Sequence, residues 1–296
     1  MSPTTKQTAR RPAPRGRAPR KGAMRILNDV LCGVDGTRTS YEAVRQAAAL
    51  TGARGHLTLL AVSGESTVGR DHNAIDVATM SRVRVRQALN HARALAARQG
   101  VPADTAVDGR AKVAHALLDQ AQSHSLLALG APSMSRAAHL LLGGITSTAA
   151  HRLPTSLLIA RRPPRGVAFA ERVLVASDAG TDSDRLLDFG IALALEREGE
   201  LLLLHAAGPE SRFQPTRLGN QAERVGKALG NRGQVRIVPG RAERAIIEAA
   251  QQSSSSLAVM SSHHIKGPRA LASVSERVVH DAPCSVLVVR PEDLRG

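Results

Sequence analysis

The chain has 296 residues and a formal net charge of +15, with 43% hydrophobic residues but no Trp, one Tyr and three Phe. This length favours two domains over one, and the apolar content is typical of a globular protein whose cores consist of Leu, Val, Ile and Ala. The scarcity of aromatic side chains disfavours an RNA-binding sheet, which needs aromatic groups for base stacking. No apolar stretch reaches the roughly 18 residues that a membrane span needs, and the basic start lacks the apolar segment of a signal peptide, so we predict a cytoplasmic protein.

The positive charge is concentrated at the amino terminus. Residues 1–25 contain eight Lys or Arg and no acid, which leaves +7 for the rest of the chain. This segment is rich in Pro, Arg, Ala and Gly and has too little apolar surface to offset its ordering entropy, so we predict that it is disordered. It is a candidate non-specific arm for nucleic acids or other polyanions. Met24 is an alternative start of the folded protein, in which case residues 1–23 are additional translated sequence.

From residue 30 onward, one pattern of apolar runs occurs twice in the same order. Each copy has a first run that ends in Asp, a second continuous apolar run, a third run and a closing run that follows His-x-x-Pro. Continuous apolar runs of this length predict strands that are covered on both faces. The paired segments are 30–35 with 173–178, 56–62 with 200–206, 126–130 with 257–261, and 151–161 with 280–290.

Helical patterns separate these strands. Thr39-x-x-Glu42 has the form of a capping box at the first helix start, and Thr181-x-x-Asp184 is a looser version in the second copy. Alternating strands and helices predict parallel sheets, because each helix returns the chain to the edge where the next strand begins. We therefore predict an α/β protein with two tandem doubly wound domains of about five strands each, at 26–163 and 168–292. The Pro-containing segment 161–172 is the predicted linker.

Ligands of such sheets bind beyond the carboxyl ends of the strands. In the first copy these ends carry Asp35, Val62 and Gly130, and in the second copy Asp178, Ala206 and Ser261. The stretch after Gly130 is spaced by glycines, which raises the question of whether it surrounds a phosphate group.

Over residues 26–292 the chain resembles the universal stress protein family in tandem form. The residues that carry the resemblance are GVDGT after the first strand, the Gly-rich loop followed by LLLGG, and the endings RLPTSLLIAR and DAPCSVLVVR. The resemblance implies a fold similar to the adenine nucleotide alpha hydrolases. It also implies pairing through the last strand of each domain, either within the chain or in a homodimer. One branch of the family binds ATP through a loop of the form G-x2-G-x9-G-[ST].

The resemblance implies a set of ATP-binding positions in the first copy. Ser133 replaces the second loop glycine, and Gly144 replaces the final Ser or Thr, while the spacing is kept. Glycines in such a loop allow backbone N–H groups to approach phosphate oxygens closely. The alternative is a loop that only closes the edge of the sheet. The implied nucleotide-binding residues are Asp35, Thr37, Val62, Gly130, Ser133, Gly143 and Gly144.

The second copy departs further from the loop pattern. Ser261 and Ala272 stand in place of the first and third glycines, and His263 and His264 fit no zinc spacing, so we interpret this stretch as a surface loop. Cys32 and Cys284 lie in apolar runs typical of buried thiols. No phosphate-loop lysine motif, G-x-S-x-G or H-E-x-x-H is present. We therefore predict a non-catalytic stress-response protein with ATP as its only candidate cofactor and no metal site. The alternative is polyanion binding through the amino-terminal segment.

Overall fold

The computed structural model describes residues 27–63, 82–109, 113–131, 155–208, 214–261, 274–290 and 292–293. The elements of the first half are β1 (Asp29–Gly33), α1 (Arg38–Thr51), β2 (His56–Val62), α2 (Arg82–Ala97), β3 (Ala103–Asp108), α3 (Val113–Ala121), β4 (Leu126–Gly130) and β5 (Ser156–Ala160). Those of the second half are β6 (Arg172–Ser177), α4 (Ser183–Glu196), β7 (Glu200–Ala207), α5 (Pro215–Leu229), β8 (Gly233–Pro239), α6 (Ala242–Gln252), β9 (Leu257–Ser261), α7 (Val274–Asp281) and β10 (Ser285–Val289).

All ten strands form a single sheet in the order β3-β2-β1-β4-β5-β10-β9-β6-β7-β8. Within each half the paired strands are parallel, which confirms the predicted fold class of two doubly wound five-stranded repeats. The halves meet where β5 pairs antiparallel with β10, with Leu158 opposite Leu287. The strands of the second half run in the opposite direction. The carboxyl ends of its strands therefore lie on the side of the sheet where the strands of the first half begin.

The two faces of the sheet carry separate helical layers and separate apolar cores. Buried side chains of α1, α2, α4 and α5 share one core, and those of α3, α6 and α7 share the other. The strands β4, β5 and β10 are buried at every position, because both of their faces are covered. This double coverage explains why the sequence shows these strands as continuous apolar runs rather than as an alternating pattern.

The edge strands β3 and β8 were not located from the sequence. Their residues alternate between covered and exposed positions and include Asp104, Asp108 and Arg236. An edge strand has a neighbour on one side only, and its polar residues remain in contact with water. The apolar pattern that identifies a central strand is therefore weak in both of them.

Matched hydrogen bonds hold the two halves together at the junction. The backbone N–H of Arg161, after β5, donates to the hydroxyl of Ser285 at the start of β10 (3.0 Å), and that of Arg290, after β10, donates to Ser156 at the start of β5 (3.1 Å). The guanidinium of Arg161 also donates to the carbonyl oxygens of Val279 (2.6 Å) and His280 (3.0 Å). A side chain of the first half thus provides hydrogen-bond donors for free carbonyl groups at the carboxyl end of α7, a helix of the second half.

Helix α1 of the first half also bonds to the second half. The buried amide of Gln46 donates to the carbonyl of Arg161 (2.7 Å) and accepts from the hydroxyl of Ser285 (2.8 Å). Near the end of the helix, the carbonyl of Ala49 accepts from the guanidinium of Arg197 (2.6 Å), which follows α4. The first helix is therefore bonded to the second half at its middle and near its carboxyl end.

We expect Ser285→Ala to destabilise the protein by about 1–3 kcal/mol, because it leaves the buried Gln46 oxygen without a donor and the Arg161 N–H without its acceptor. The measurement is urea unfolding followed by circular dichroism. Ser123→Ala is the control, since it removes an exposed hydroxyl that donates to the carbonyl of Gln120, and should change stability by less than about 0.5 kcal/mol. Equal effects of the two substitutions would contradict this role for Ser285.

Candidate functional site

The turn between β1 and α1 places the first two predicted site residues. A carboxylate oxygen of Asp35 accepts from the backbone N–H (2.9 Å) and the hydroxyl (2.6 Å) of Thr37. Between them Gly36 has φ +80°, a left-handed conformation that glycine adopts without steric cost. The turn is short and polar, because the Asp side chain substitutes for a backbone acceptor within it.

Thr37 is also the N-cap of α1. Its side chain accepts from the backbone N–H of Ser40 (3.2 Å), and the helix begins at Arg38. The predicted capping box at Thr39 and Glu42 is therefore wrong, because the cap lies two residues earlier, at Thr37. Glu42 instead accepts hydrogen bonds from Arg45 (2.9 Å) and from the buried Gln46 (3.0 Å) within the same helix. In the second half the N-cap is Asp182, which makes no capping bond with its side chain, so the looser box at Thr181 is also wrong.

Gly130 lies at the end of β4 and packs directly against the start of α1. A Cβ atom at this position would lie 2.4 Å from the carbonyl carbon of Thr39 and 2.7 Å from the backbone nitrogen of Ser40. Glycine is therefore needed here for the close approach of strand and helix, whether or not a ligand is bound. The structure thus brings Gly130 next to the helix turn that Thr37 caps.

Val62 ends β2 on the neighbouring side of β1. The backbone N–H of Val34 still bonds to the carbonyl of Leu60 (2.8 Å), so the chain that leads to Asp35 runs beside the end of β2. Val62 is half-buried against the core beneath α3. Asp35, Thr37, Val62 and Gly130 thus share one edge of the sheet, whereas Ser133, Gly143 and Gly144 lie outside the described residues.

Two side chains near this turn, Cys32 and Tyr41, are neutral at ordinary pH. Complete burial, reinforced by the charge of Asp35, raises the pKa of the Cys32 thiol far above its usual range. Partial burial and the same charge raise the pKa of Tyr41, whose ring lies 4.5 Å from that of His91. Cys32 is therefore a buried apolar group and not a nucleophile. The exposed carboxylate of Asp35 is suited to accept hydrogen bonds, for example from sugar hydroxyls.

The second half keeps the same turn. The backbone N–H of Gly180 donates to the carboxylate of Asp178 (2.9 Å), as Thr37 does to Asp35. The hydroxyl of Ser183 donates to the carbonyl of Gly180 (2.6 Å), and Ser40 donates to that of Thr37 in the same way (3.0 Å). These shared bonds fix the alignment of the two turns. Ser261 ends β9 where Gly130 ends β4, and His263 and His264 lie outside the described residues.

Beneath this second turn is a buried polar network that the sequence did not reveal. The side chain of Gln221 accepts from Ser177 (3.0 Å) and donates to Ser183 (2.9 Å) and to Asp184 (2.7 Å). The buried ring of His205 bonds to the carbonyl of Ser177 (2.9 Å). The corresponding positions of the first half are Val34 and Ala61, so the two halves differ in chemistry below the same turn. An unusual Gln at a core-facing position of α5 was the available sequence signal.

An open cavity of about 740 Å³ borders this network between α4 and α5. Its lining contains one carboxylate and two guanidinium groups, and Asp184 lies 3.7 Å from Arg217 and 3.6 Å from Arg224. Among the described residues, no group of three or more His, Cys, Asp or Glu is placed to hold a metal ion. No helix in the described ranges is long and apolar enough to cross a membrane.

Two doubly wound repeats with the same Asp-containing turn define a tandem α/β protein. The sequence model of the universal stress protein family matches residues 27–161 and again residues 170–290. The chain therefore belongs to the universal stress protein family and contains two of its domains in tandem, as the resemblance implied. A search among curated proteins found no match.

The solved structures that the chain matches are distant in sequence. A universal stress protein from Archaeoglobus fulgidus is 20% identical, with a TM-score of 0.69 over 90% of this chain and 98% of its own. A functionally unknown protein from Pseudomonas aeruginosa is 17% identical, with a TM-score of 0.61 over 92% of this chain and 95% of its own. A universal stress protein in complex with cAMP covers 41% of this chain and 97% of its own, at 23% identity and a TM-score of 0.36.

We expect Gly130→Ala to destabilise the protein by about 1–3 kcal/mol, because the added methyl group forces β4 and the start of α1 apart. Thermal unfolding by calorimetry measures the effect. Gly109→Ala is the matched control, since a Cβ there would meet nothing within 4 Å. Equal stabilities of the two variants would contradict the close packing of Gly130 on α1.

Proposed function

We propose that the protein is a non-catalytic, nucleotide-responsive stress protein of the cytoplasm, with a partly degenerate ATP site in its first half. The observation that carries the proposal is the Asp35–Thr37 turn held against Gly130 and beside Val62 at the carboxyl edge of the sheet. Ligands of doubly wound sheets bind at this edge. In the proposal Asp35 accepts ribose hydroxyls, and Ser133, Gly143 and Gly144 supply the phosphate loop.

The residues around the turn support binding rather than turnover. A buried Cys32 with a raised pKa cannot serve as a thiolate, and Asp35 is engaged within its own turn by Thr37. ATP would be a charged ligand that can dissociate, and the chain would bind and orient it. We propose that the bound nucleotide shifts the population of conformations and so changes the surface shown to partners.

The second half has a structural role in this proposal. The last strands β5 and β10 pair with each other, so the second half takes the place that a second subunit would take in a one-domain relative. A homodimer of the whole chain would have to use a surface other than these two strands. The two Asp-containing turns lie at opposite edges of the sheet and therefore cannot form one composite site.

Isothermal titration with ATP tests the site through Asp35→Asn, which keeps an acceptor oxygen for the turn and removes the charge. Loss of a charge-assisted hydrogen bond should weaken ATP binding by about ten-fold or more. Asp178→Asn, in the equivalent turn of the second half, should leave the affinity unchanged. Equal affinities of all three proteins would contradict the assignment of the site to the first half.

A second candidate function is polyanion binding through residues 1–25, favoured by their eight basic residues and absence of acids. We expect the affinity for a short DNA duplex, measured by fluorescence anisotropy, to fall steeply with salt concentration. Removal of residues 1–23 should abolish most of the binding and its salt dependence. Binding that persists unchanged in the shortened chain would contradict this function.

A further inference from the structure

Two histidines and two aspartates meet at the amino ends of the first-half strands. The ring of His56, at the start of β2, has Nδ1 3.4 Å from Oδ1 of Asp29 in β1 and Nε2 2.9 Å from Oδ2 of Asp104 in β3. His124, in the turn before β4, has Nε2 3.8 Å from the same Asp29 oxygen. That oxygen is buried and accepts no hydrogen bond from any described residue. The cluster lies at the opposite ends of the strands from the Asp35 turn, so it is separate from the proposed nucleotide site.

This geometry favours the charged form of the His56 ring. Both ring nitrogens face ionised carboxylates, which can only accept hydrogen bonds. A neutral imidazole has one N–H, so it can donate to one carboxylate and must turn a lone pair toward the other, whereas the protonated ring donates to both. The hydrogen bond to Asp104 is the largest cause that raises the pKa of His56, partial desolvation opposes it, and Asp29 raises it further. The other titratable or charged groups at this end of the adjoining elements are Arg54 before β2, Arg98 after α2, Asp119 in α3 and His124.

The second half has a fixed charge pair at the matching position. Arg172 and Glu200 are register partners at the start of β6 and β7, and their side chains lie 3.7 Å apart. They match the Asp29–His56 pair of β1 and β2. The second half has an uncharged Gln where β3 has Asp104. An arginine stays charged at ordinary pH, whereas an imidazole changes its charge near neutrality, so of these two pairs only that of the first half responds to pH.

We propose that His56 forms a pH-sensitive link that secures the outer strand β3: the protonated ring joins Asp104 of β3 to Asp29 of β1, and deprotonation breaks the link. Strand β3 is the last strand of the sheet and is hydrogen-bonded to β2 alone. It therefore has fewer neighbours than a central strand to hold its first residues in place. The inference does not rest on the proposed nucleotide site.

The direction of the pH dependence follows from the raised pKa of His56. The folded chain holds this proton more tightly than the unfolded chain does, so the link is complete below the usual histidine pKa of about 6.5. It is lost as the pH rises through the higher pKa of the folded protein. The start of β3 should therefore open more often above neutrality, while the matching edge of the second half, at β8, should not change.

Two measurements test the link in the full chain. Proton NMR follows the His56 ring, whose titration midpoint should lie above that of a free histidine and should fall in Asp104→Asn. Amide hydrogen exchange follows β3 itself, with rates expressed as protection factors to remove the intrinsic effect of pH. Because His56 and Asp104 are exposed, we expect the size of effect typical of a surface ion pair: protection of the β3 amides falls by about two- to five-fold between about pH 5.5 and about pH 8.5.

Three variants separate the charge of the ring from its shape. His56→Gln removes the titrating group and should give β3 the lower protection at both pH values. His56→Arg keeps a positive charge and should keep β3 protected at both. Glu200→Gln is the matched control, since it breaks the fixed pair of the second half and should leave the pH dependence of β3 unchanged. Circular dichroism of each variant verifies that the fold is retained.

The β8 amides of the same protein provide an internal control, and their protection should change by less than about 1.5-fold over this pH range. Equal changes in β3 and β8 would overturn the inference, and so would a pH dependence of β3 that persists in His56→Gln. A His56 ring that titrates like a free histidine would also overturn it. If the ring titrates at a raised pH but the protection of β3 stays constant, the ion pair does not hold the strand and the inference falls.

Discussion

The antiparallel pairing of β5 with β10 is the constraint on which the rest of the structure depends. It joins two parallel sheets into one and covers the edge that each half would otherwise expose. The network of Gln46, Arg161 and Ser285 forms because the end of β5 lies beside the start of β10. The same reversal of direction places the carboxyl ends of the strands of the two halves on opposite sides of the molecule. Each half is therefore free to diverge at its own edge.

Residues of the candidate site also have packing roles in the fold. Gly130 is required for the contact with α1, so its presence does not by itself indicate a ligand. The Asp35–Thr37 turn also has a structural role, because Thr37 caps α1. The second half keeps an Asp-containing turn and adds a polar network under it, and its Asp182 and Asp184 lie within 4 Å of arginine side chains. The two halves therefore differ in the chemistry of this region, and α4 begins two residues later after its Asp than α1 does.

The sequence predicted the bounds of a strand correctly where helices cover both faces of that strand. Strands β2, β4 and β9 begin and end at the predicted residues 56–62, 126–130 and 257–261, because double coverage makes most of their positions apolar. The edge strands β3 and β8 escaped notice because water reaches part of each. The choice of Thr37 over Thr39 as the helix cap depends on the path of the turn around Gly36, which hydrophobic periodicity does not describe.

Local patterns of apolar and polar residues encode the duplication and the order of the central strands with the helices between them, and the family resemblance indicated Asp35 and Thr37 as turn residues. The contacts between residues of the two halves, and the need for glycine at position 130, follow from the three-dimensional packing instead. These properties depend on contacts between segments far apart in the chain, such as Gln46 with Ser285 and Gly130 with Thr39. Distances of this kind arise only when the strands have paired and the helices have packed on them.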